Sequence, residues 1–248
     1  MSQSSFAFSV FGNRYFFTPK FIFLSLLLIV LLVGLGIWEI QKAQTVEETI
    51  QLLNQRMTLD PLQANDLESD RDLRFYPIEL TGSFDNEHSI LLPNRVNKGQ
   101  RGYEVLTPFN IVDSSTNILI DRGWIPLNAD ANSLPEIQSV PDKQATITGM
   151  LYKPLNYFKF GSDFNENNVQ WPLVSKHANI ESLATALNTP LYPYIVLLSP
   201  SNQYGFVREW TWLPNSIESD RSRALAKQWF VLAFIVFMIF VFTNIHRI

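Results

Sequence analysis

The chain has 248 residues, of which 46% are hydrophobic, and a formal net charge of −4. This length allows one sizeable domain together with membrane-spanning segments, and the charge, without any strongly basic segment, argues against a nucleic-acid surface. Cysteine is absent, which excludes disulfides, thiolate metal sites and dithiol redox chemistry.

The first predicted element is a membrane-spanning helix over residues 21–38. It follows a tail, residues 1–20, that holds Arg14 and Lys20 and no acidic residue. The helix segment carries no charge and has nearly the 20 or so residues that a spanning helix needs. A signal peptide is the alternative, but its apolar region usually has only about 7–15 residues, and no small-residue cleavage site follows closely. We therefore predict an uncleaved anchor, with Trp38 at the membrane interface.

A second membrane-spanning helix is predicted over residues 224–243. Lys227 lies near the end of this helix, where a long side chain can extend its ammonium toward the interface. Residues 244–248 then form a short basic tail. Because both tails of the chain are basic, the positive-inside rule places both termini in the cytoplasm and residues 39–223 outside.

The segment between the spans begins with a helical extension and then becomes polar. Residues 40–56 have apolar positions at helical spacing, so we predict that the first helix continues outward from the membrane. Residues 60–72 are polar and acidic, as expected for a linker or exposed loop. Counted together with Lys227, the segment carries 16 basic and 23 acidic residues, which indicates a solvated domain without a basic membrane-binding face.

Beyond residue 74 the apolar residues alternate, as they do in half-buried strands. Gly, Pro, Asn and Asp clusters separate the strand-like segments, which are Arg74–Leu80, His88–Leu92, Tyr103–Val112, Asn117–Asp121, Gln144–Leu151, Tyr194–Ser199 and Tyr204–Trp212. A hairpin is predicted between the third and fourth segments, and one short helix over Asn179–Leu187 with Asn179 as its cap. The predicted fold is two transmembrane helices that flank an extracytoplasmic, antiparallel β-rich domain, barrel-like or sandwich-like.

The segment Ile118–Pro126 is the predicted central strand of this domain. Its apolar residues are β-favouring, and they run into a charged pair, Asp121 and Arg122, followed by Gly123 and Trp124. We predict that the strand ends at this pair and that the corner presents a charged, aromatic surface. A turn held by one ion pair is the alternative interpretation.

Few residues show the patterns of catalytic or metal chemistry. The three histidines, His88, His177 and His246, stand at no spacing typical of a zinc site. No phosphate-binding loop, dinucleotide-binding, serine-hydrolase or metalloprotease motif is present. We therefore predict that the chain is not an enzyme and has no metal site of its own.

Several short motifs occur in one order along the chain. They are Gly36-x-Trp38 with Lys42, Gly82, Leu91-Leu92-Pro93-Asn94-Arg95, the Gly102–Phe109 segment with Pro108, the Leu119–Pro126 segment with Gly123 and Pro126, and Ala226-x-Gln228-Trp229-Phe230. Each is weak alone, but in this order and between two spans they make the chain resemble the Surfeit locus protein 1 family over residues 35–230.

This resemblance implies an assembly factor for a haem–copper cytochrome c oxidase, which acts in the insertion or stabilisation of haem a in the catalytic subunit. The implied partners are that subunit, other assembly factors and membrane lipid, and the implied cofactor is haem a, held transiently. Bacterial relatives are associated with haem a binding through a histidine near the second span, and this chain has Ser222 at that position. A hydroxyl is a poor iron ligand, so axial ligation there is not expected. Glu39 and Lys42 likewise replace the family's usual Gln and Arg.

Within this hypothesis we predict that Arg122 pairs with a haem propionate or with the partner subunit, while Trp124 and Tyr103 cover the porphyrin face. The competing hypothesis is a membrane-anchored scaffold or sensor domain that binds a protein and no cofactor, which Ser222 favours. An enzyme of the outer compartment is a third hypothesis without motif support. The predicted location is the bacterial cytoplasmic (inner) membrane, with the domain on the periplasmic side, because no organelle transit pattern precedes the first span.

Overall fold

The computed structural model of the protein describes residues 6–10, 13–17, 19–68, 70–128, 130, 133–141, 143–154, 162–165, 168–210 and 213–246. The elements in chain order are β1 (Phe6–Val10), β2 (Asn13–Phe17), α1 (Pro19–Arg56), a 3-10 helix (Ala64–Glu68), β3 (Pro77–Phe84), β4 (Ile90–Asn97), β5 (Gln100–Ile111), β6 (Asn117–Pro126), β7 (Ala145–Tyr152), β8 (Leu173–Val174), α2 (Ile180–Leu187), β9 (Leu191–Leu198), α3 (Ser216–Asn244) and β10 (Ile245–His246).

The chain divides into two units, one formed by residues 1–51 with 213–248 and the other by residues 52–212. The first unit contains α3 and most of α1, two helices that are long and apolar enough to cross a membrane, together with the small sheet β1-β2-β10. The predicted continuation of the first helix to Arg56 is confirmed. Helix α1 is continuous from Pro19 to Arg56, because its apolar run passes into a polar segment whose apolar residues keep helical spacing.

The second unit is a closed β-barrel. Strand β5 pairs with β3 and β6, β6 pairs with β9, β9 with β7, and β7 with β3, so the ring is complete. The meander β3-β5-β6, with β7 returning beside β3, is a Greek key. A five-stranded Greek-key barrel is the architecture class that includes the OB-fold. The predicted barrel-like domain is therefore confirmed.

Two pairings correct the prediction of an antiparallel sheet. Strands β6 and β9 are parallel, with Leu119 opposite Ile195, and the short β8 is parallel to β4. Both pairings join strands that are separated by a long crossover, and α2 lies in the crossover that leads to β9. Parallel neighbours need such a connection.

The predicted strand over Tyr204–Trp212 is wrong for the residues that the structure describes. Only a single bridge forms there, between Val207 and Trp124. The backbone is bent around Arg208, whose guanidinium donates to the carbonyl oxygens of Ser199, Asn202 and Pro200. Because these bonds fold the segment into a compact loop, its aromatic residues do not extend a ladder. Trp212 itself lies outside the described residues.

Three apolar clusters of described residues stabilise this unit, and the smallest consists of Leu91, Val105 and Ile125. The first fills the barrel and includes Ile78, Phe109, Ile120 and Val196. The second joins the outside of the wall to α2, through Leu119, Ile195 and Leu183. Helix α2 begins as predicted, since the Asn179 side chain accepts a hydrogen bond from the Ser182 backbone N–H at 2.9 Å, which satisfies one of the otherwise unpaired donors at a helix start.

Candidate functional site

Strand β6 does not end at the Asp121–Arg122 pair. It continues to Pro126, and its register against β5 shifts midway, since Leu106 lies opposite Asp121 while Glu104 lies opposite Trp124. Arg122 and Gly123 therefore share one position opposite a single residue, which is a β-bulge. Gly123 has a φ of +104°, a conformation that glycine adopts without steric cost. The predicted strand end is wrong, because the glycine bends the strand and does not stop it.

The predicted exposed corner is also wrong, since Arg122 is only 3% exposed. Its Nε donates to the Tyr204 carbonyl at 2.9 Å and its Nη2 to the Gln138 carbonyl at 2.7 Å. The guanidinium also lies over the Phe206 ring, 4.7 Å from its centroid. Burial lowers the pKa of Arg122 to about 10, so it stays charged at neutral pH. The Arg122 side chain thus links the loops that contain Tyr204 and Gln138 to β6.

Asp121 and Glu104 form a buried carboxyl pair on the same two strands. Asp121 is 4% exposed and Glu104 is 7% exposed, and their carboxyl groups share a hydrogen bond. Burial raises the pKa of Asp121 well above its ordinary value, and the neighbouring Glu104 raises it further, whereas the Gly123 N–H, which donates to Asp121 Oδ1 at 3.0 Å, opposes the shift. Burial also raises the pKa of Glu104, against the charge of Arg95. Burial and the neighbouring carboxyl group thus both favour the protonated form of Asp121.

Trp124 and Tyr103, the other predicted contact residues, do not share a surface. Trp124 lies opposite Glu104 and Tyr103 lies opposite Ile125, and because directly opposed residues project to the same face, the two aromatic side chains leave the sheet on opposite faces. Trp124 is buried, and its ring packs across Gly102, where a Cβ atom would lie 2.6 Å from the indole. The structure therefore does not bring Arg122, Trp124 and Tyr103 to one exposed site, and their contact with haem or a partner stays a prediction.

In the helical unit, the buried residues follow one stripe on each long helix. The α1 stripe consists of Leu32, Gly36, Glu39 and Ala43, and the α3 stripe consists of Ser219, Ser222, Ala226 and Ala233. The helices touch where Gly36 meets the Phe230 ring and where Arg223 Nη2 donates to Glu47 Oε2 at 2.6 Å. Small residues on such stripes allow close helix packing in a membrane.

Glu39 is the exception in this unit. It is 7% exposed, and its Oε2 is buried without a hydrogen-bond partner among the described residues. A buried oxygen without a hydrogen-bond donor costs free energy. A donor next to Glu39 Oε2 would therefore stabilise the folded chain.

A cleft of about 500 Å³ opens on the barrel surface. It is lined by Pro93, Asn94, Arg95, Tyr152, Pro154, Lys176, His177 and Ala178. His177 Nδ1 lies 2.8 Å from Asp163 Oδ1, and the other described histidine of the barrel, His88, bonds Asp85 Oδ2 at 2.7 Å. No group of three His, Cys, Asp or Glu residues that could hold a metal ion occurs among the described residues.

A sequence model of the SURF1 family matches residues 26–234, which include most of α1, the whole barrel and the greater part of α3. The chain belongs to the SURF1 family. Among its relatives, Surfeit locus protein 1 of Arabidopsis thaliana is 25% identical over 144 residues, 52% of this chain and 41% of the relative. The human Surfeit locus protein 1 is 28% identical over 110 residues, 38% of this chain and 36% of the relative.

The yeast relative bears a functional name. Cytochrome oxidase assembly protein SHY1 of Saccharomyces cerevisiae is 27% identical over 94 residues, 37% of this chain and 24% of the relative. The aligned segments thus span less than half the length of these three SURF1 relatives.

The SURF1 motif residues fall into two groups in the structure. Gly102, Pro108, Gly123 and Pro126 lie on the adjacent strands β5 and β6, whereas Gly36, Trp38, Gln228 and Trp229 lie on α1 and α3. Sequence reasoning missed Glu39 as a buried group, the Glu104 partner of Asp121 and the cleft. The signal for Glu104 was an acidic residue inside the apolar run Tyr103–Leu106, whereas the cleft joins three segments that only the fold brings together.

Proposed function

We propose that this SURF1 protein is a non-enzymatic assembly factor for a haem–copper cytochrome c oxidase. The observation that carries the proposal is the match of the family model to both apolar helices and the complete barrel between them. The proposed process, assembly of cytochrome oxidase, is supported by the name of the yeast relative, a cytochrome oxidase assembly protein.

In this proposal the chain binds the catalytic subunit of the oxidase while haem a is inserted. Ser222, at the position where the family places a histidine, is buried on the α3 stripe and is a poor ligand for iron. The chain therefore acts mainly by holding the protein partner, and haem a is at most a transient ligand.

Glu39 supports a partner contact in the helical unit. Its unpartnered Oε2 would accept a hydrogen bond from a polar side chain of a neighbouring transmembrane helix, and such bonds join helices inside membranes. Among the described residues, the barrel bulge offers no equivalent group, because its buried charges bond to one another and to backbone groups of the same unit.

We also place the protein in a bacterial cytoplasmic membrane with its barrel on the periplasmic side. The support is the pair of apolar helices and the basic residues Arg14, Lys20 and Arg247 outside them, which the positive-inside rule assigns to the cytoplasm. Alkaline phosphatase, which is active only outside the cytoplasm, should be inactive when fused to the C-terminus.

The decisive experiment deletes the gene and measures haem a content and assembled oxidase in membranes, with the wild-type gene returned as control. We expect both to fall and to recover on complementation. Undiminished oxidase in the deletion strain would refute the assembly role.

An optical spectrum of the protein, purified in mild detergent from cells that make haem a, separates the two modes of action. A haem a signal near one per chain would assign direct cofactor binding to ligands other than Ser222. Its absence, together with loss of haem a from the oxidase after gene deletion, would assign the role to binding of the subunit.

A further inference from the structure

The cleft on the barrel exists because β4 bulges. The register of β4 against β5 shifts between Leu92 and Arg95, and Asn94 has a φ of +61°. The bulge lifts Pro93 and Asn94 out of the ladder, since an extra residue in one strand bends it away from its partner. Arg95, the residue that follows the bulge, lines the cleft.

The opposite wall is the segment Ser175–Ala178, which is fixed by its own hydrogen bonds. Ser175 N donates to the Leu91 carbonyl at 3.0 Å, and the buried Ser175 hydroxyl donates to the His177 carbonyl at 2.8 Å. Asp163 contacts the segment twice, as its carbonyl accepts from Lys176 N at 3.1 Å and its carboxylate orients His177. The backbone of this wall, together with the His177 ring, is therefore held in place by hydrogen bonds.

The charges that line the cleft are positive. Arg95 and Lys176 contribute two full charges, and neither side chain makes a hydrogen bond or ion pair within the part of the chain that the structure describes. Helix α2 begins two residues after Ala178, and a helix start adds partial positive charge. The opposing acidic groups are Asp163, which is engaged with His177, and the carboxyl pair of Glu104 and Asp121, which acts on Arg95 from the buried side.

From the convergence of Arg95, Lys176 and the oriented His177 in this cleft, we propose that it binds the phosphate group of a small ligand. A planar guanidinium pairs with two phosphate oxygens while an ammonium acts as a point charge. The volume is within the range of small-molecule sites, about 300–1,000 Å³, and leaves room for what the phosphate is attached to. This site is separate from the assembly role, and neither proposal depends on the other.

The test titrates the full chain in nonionic detergent with inorganic phosphate, short-chain phosphatidate and succinate, and follows binding by calorimetry. We expect saturable binding of a phosphate probe to the wild-type chain. In the double variant R95Q/K176Q the affinity should fall at least tenfold, which corresponds to the loss of about one charged hydrogen bond. The matched control is R101Q/K143Q, which removes two exposed positive charges elsewhere on the barrel.

The outcomes separate the possible sources of the phosphate. Phosphatidate that binds at least tenfold tighter than inorganic phosphate would identify a lipid headgroup, and comparable affinities would identify a soluble phosphate compound. Equal weakening in the two double variants would overturn the proposal, since the attraction would then be diffuse. Tighter binding of succinate than of either phosphate probe, or no saturable binding, would also overturn it. Because Arg95 faces the buried carboxyl pair, the single variant K176E, on an exposed residue, repeats the test without that contact.

Discussion

The barrel bulge and the helical unit both bury charged side chains, but they differ in whether those side chains find partners within their own unit. In the bulge, Arg122 bonds two carbonyls, and Asp121 bonds a backbone N–H and the neighbouring Glu104. In the helical unit, one oxygen of Glu39 has no partner among the described residues. The contrast indicates that the buried charged groups of the barrel maintain its shape, whereas Glu39 is the buried side chain for which we propose a contact with a partner.

The largest effect should come from removing the Arg122 guanidinium. Arg122→Met keeps much of the apolar stem but leaves the partly buried carbonyls of Tyr204 and Gln138 without their donor, at about 1–3 kcal/mol each. We expect a loss of about 2–5 kcal/mol in the free energy of unfolding, measured by tryptophan fluorescence of the full chain in mild detergent. Arg101→Met, on the exposed side of β5, is the control and should change stability by less than about 0.5 kcal/mol. Equal stability of the two variants would show that the bulge charges are not structural.

The packing of the β6 bulge can be tested by comparing alanine variants of two glycines that both have a positive φ, Gly123 and Gly99. At Gly123 an added Cβ would lie 2.5 Å from the Val207 carbonyl oxygen, whereas at Gly99, with a φ of +82°, nothing lies within 4 Å. Both alanine variants pay for the backbone conformation, about 1–2 kcal/mol. Gly123→Ala should lose a further 1–3 kcal/mol or so from overpacking. The same unfolding assay would contradict the close packing of the bulge against residues 206–208 if the two variants lost equal stability.

The carboxyl pair predicts a pH dependence with a definite sign. Since the pKa of Asp121 is raised in the folded chain, the folded state holds a proton that the unfolded state releases above about pH 4, and stability falls as pH rises toward the folded pKa. Asp121→Asn removes this titration, keeps an oxygen for the Gly123 N–H and supplies a donor to Glu104. We expect a flatter profile of melting temperature against pH and equal or higher stability at pH 8, by up to about 1 kcal/mol.

Asp121→Ala is the control for that experiment. It also removes the titration, but it leaves the Gly123 N–H without its acceptor, so it should lose about 1–3 kcal/mol at every pH. A wild-type melting temperature that rises from pH 4 to pH 8, with the same slope in Asp121→Asn, would contradict the raised pKa of Asp121.

The smallest effect on stability is expected at Glu39. This variant also tests most directly the contrast between the barrel and the helical unit. Glu39→Leu removes a buried carboxyl oxygen that has no partner among the described residues, so the isolated chain should melt at an equal or higher temperature, with a gain of up to about 1 kcal/mol. The same variant should recover less oxidase subunit on co-purification, because the acceptor for the partner is gone. Glu48→Leu, at an exposed position on the same helix, is the control for both measurements. Unchanged recovery of the subunit with Glu39→Leu would remove Glu39 from the proposed interface.

Features with a local signal could be predicted from the sequence. The two apolar helices, the extension of α1 to Arg56 and the capped helix α2 all depend on spacing within one segment. The hairpin between β5 and β6 also has a local cause, since Asp113, with a φ of +60°, lies inside its turn.

Features that depend on distant segments could not be predicted in this way. Gly123 indicated a turn, but whether a glycine ends a strand or bends it depends on the register of the neighbouring strand, here the Glu104–Leu106 segment of β5. The burial of Arg122 likewise depends on carbonyls of residues 138 and 204, which the sequence does not place beside it. The cleft required β4, β7 and the segment before α2 to meet.

The parallel pairing of β6 with β9 also determines when the barrel can be completed during synthesis. Until β9 (Leu191–Leu198) has emerged, β6 and β7 each keep an open edge, and open strand edges invite aggregation. The next long element after β9 is α3, so the last strand of the barrel and the second apolar helix become available almost together. Quality-control proteases would therefore meet an unfinished barrel in any chain that stops before residue 191, even though its first helix is already in place.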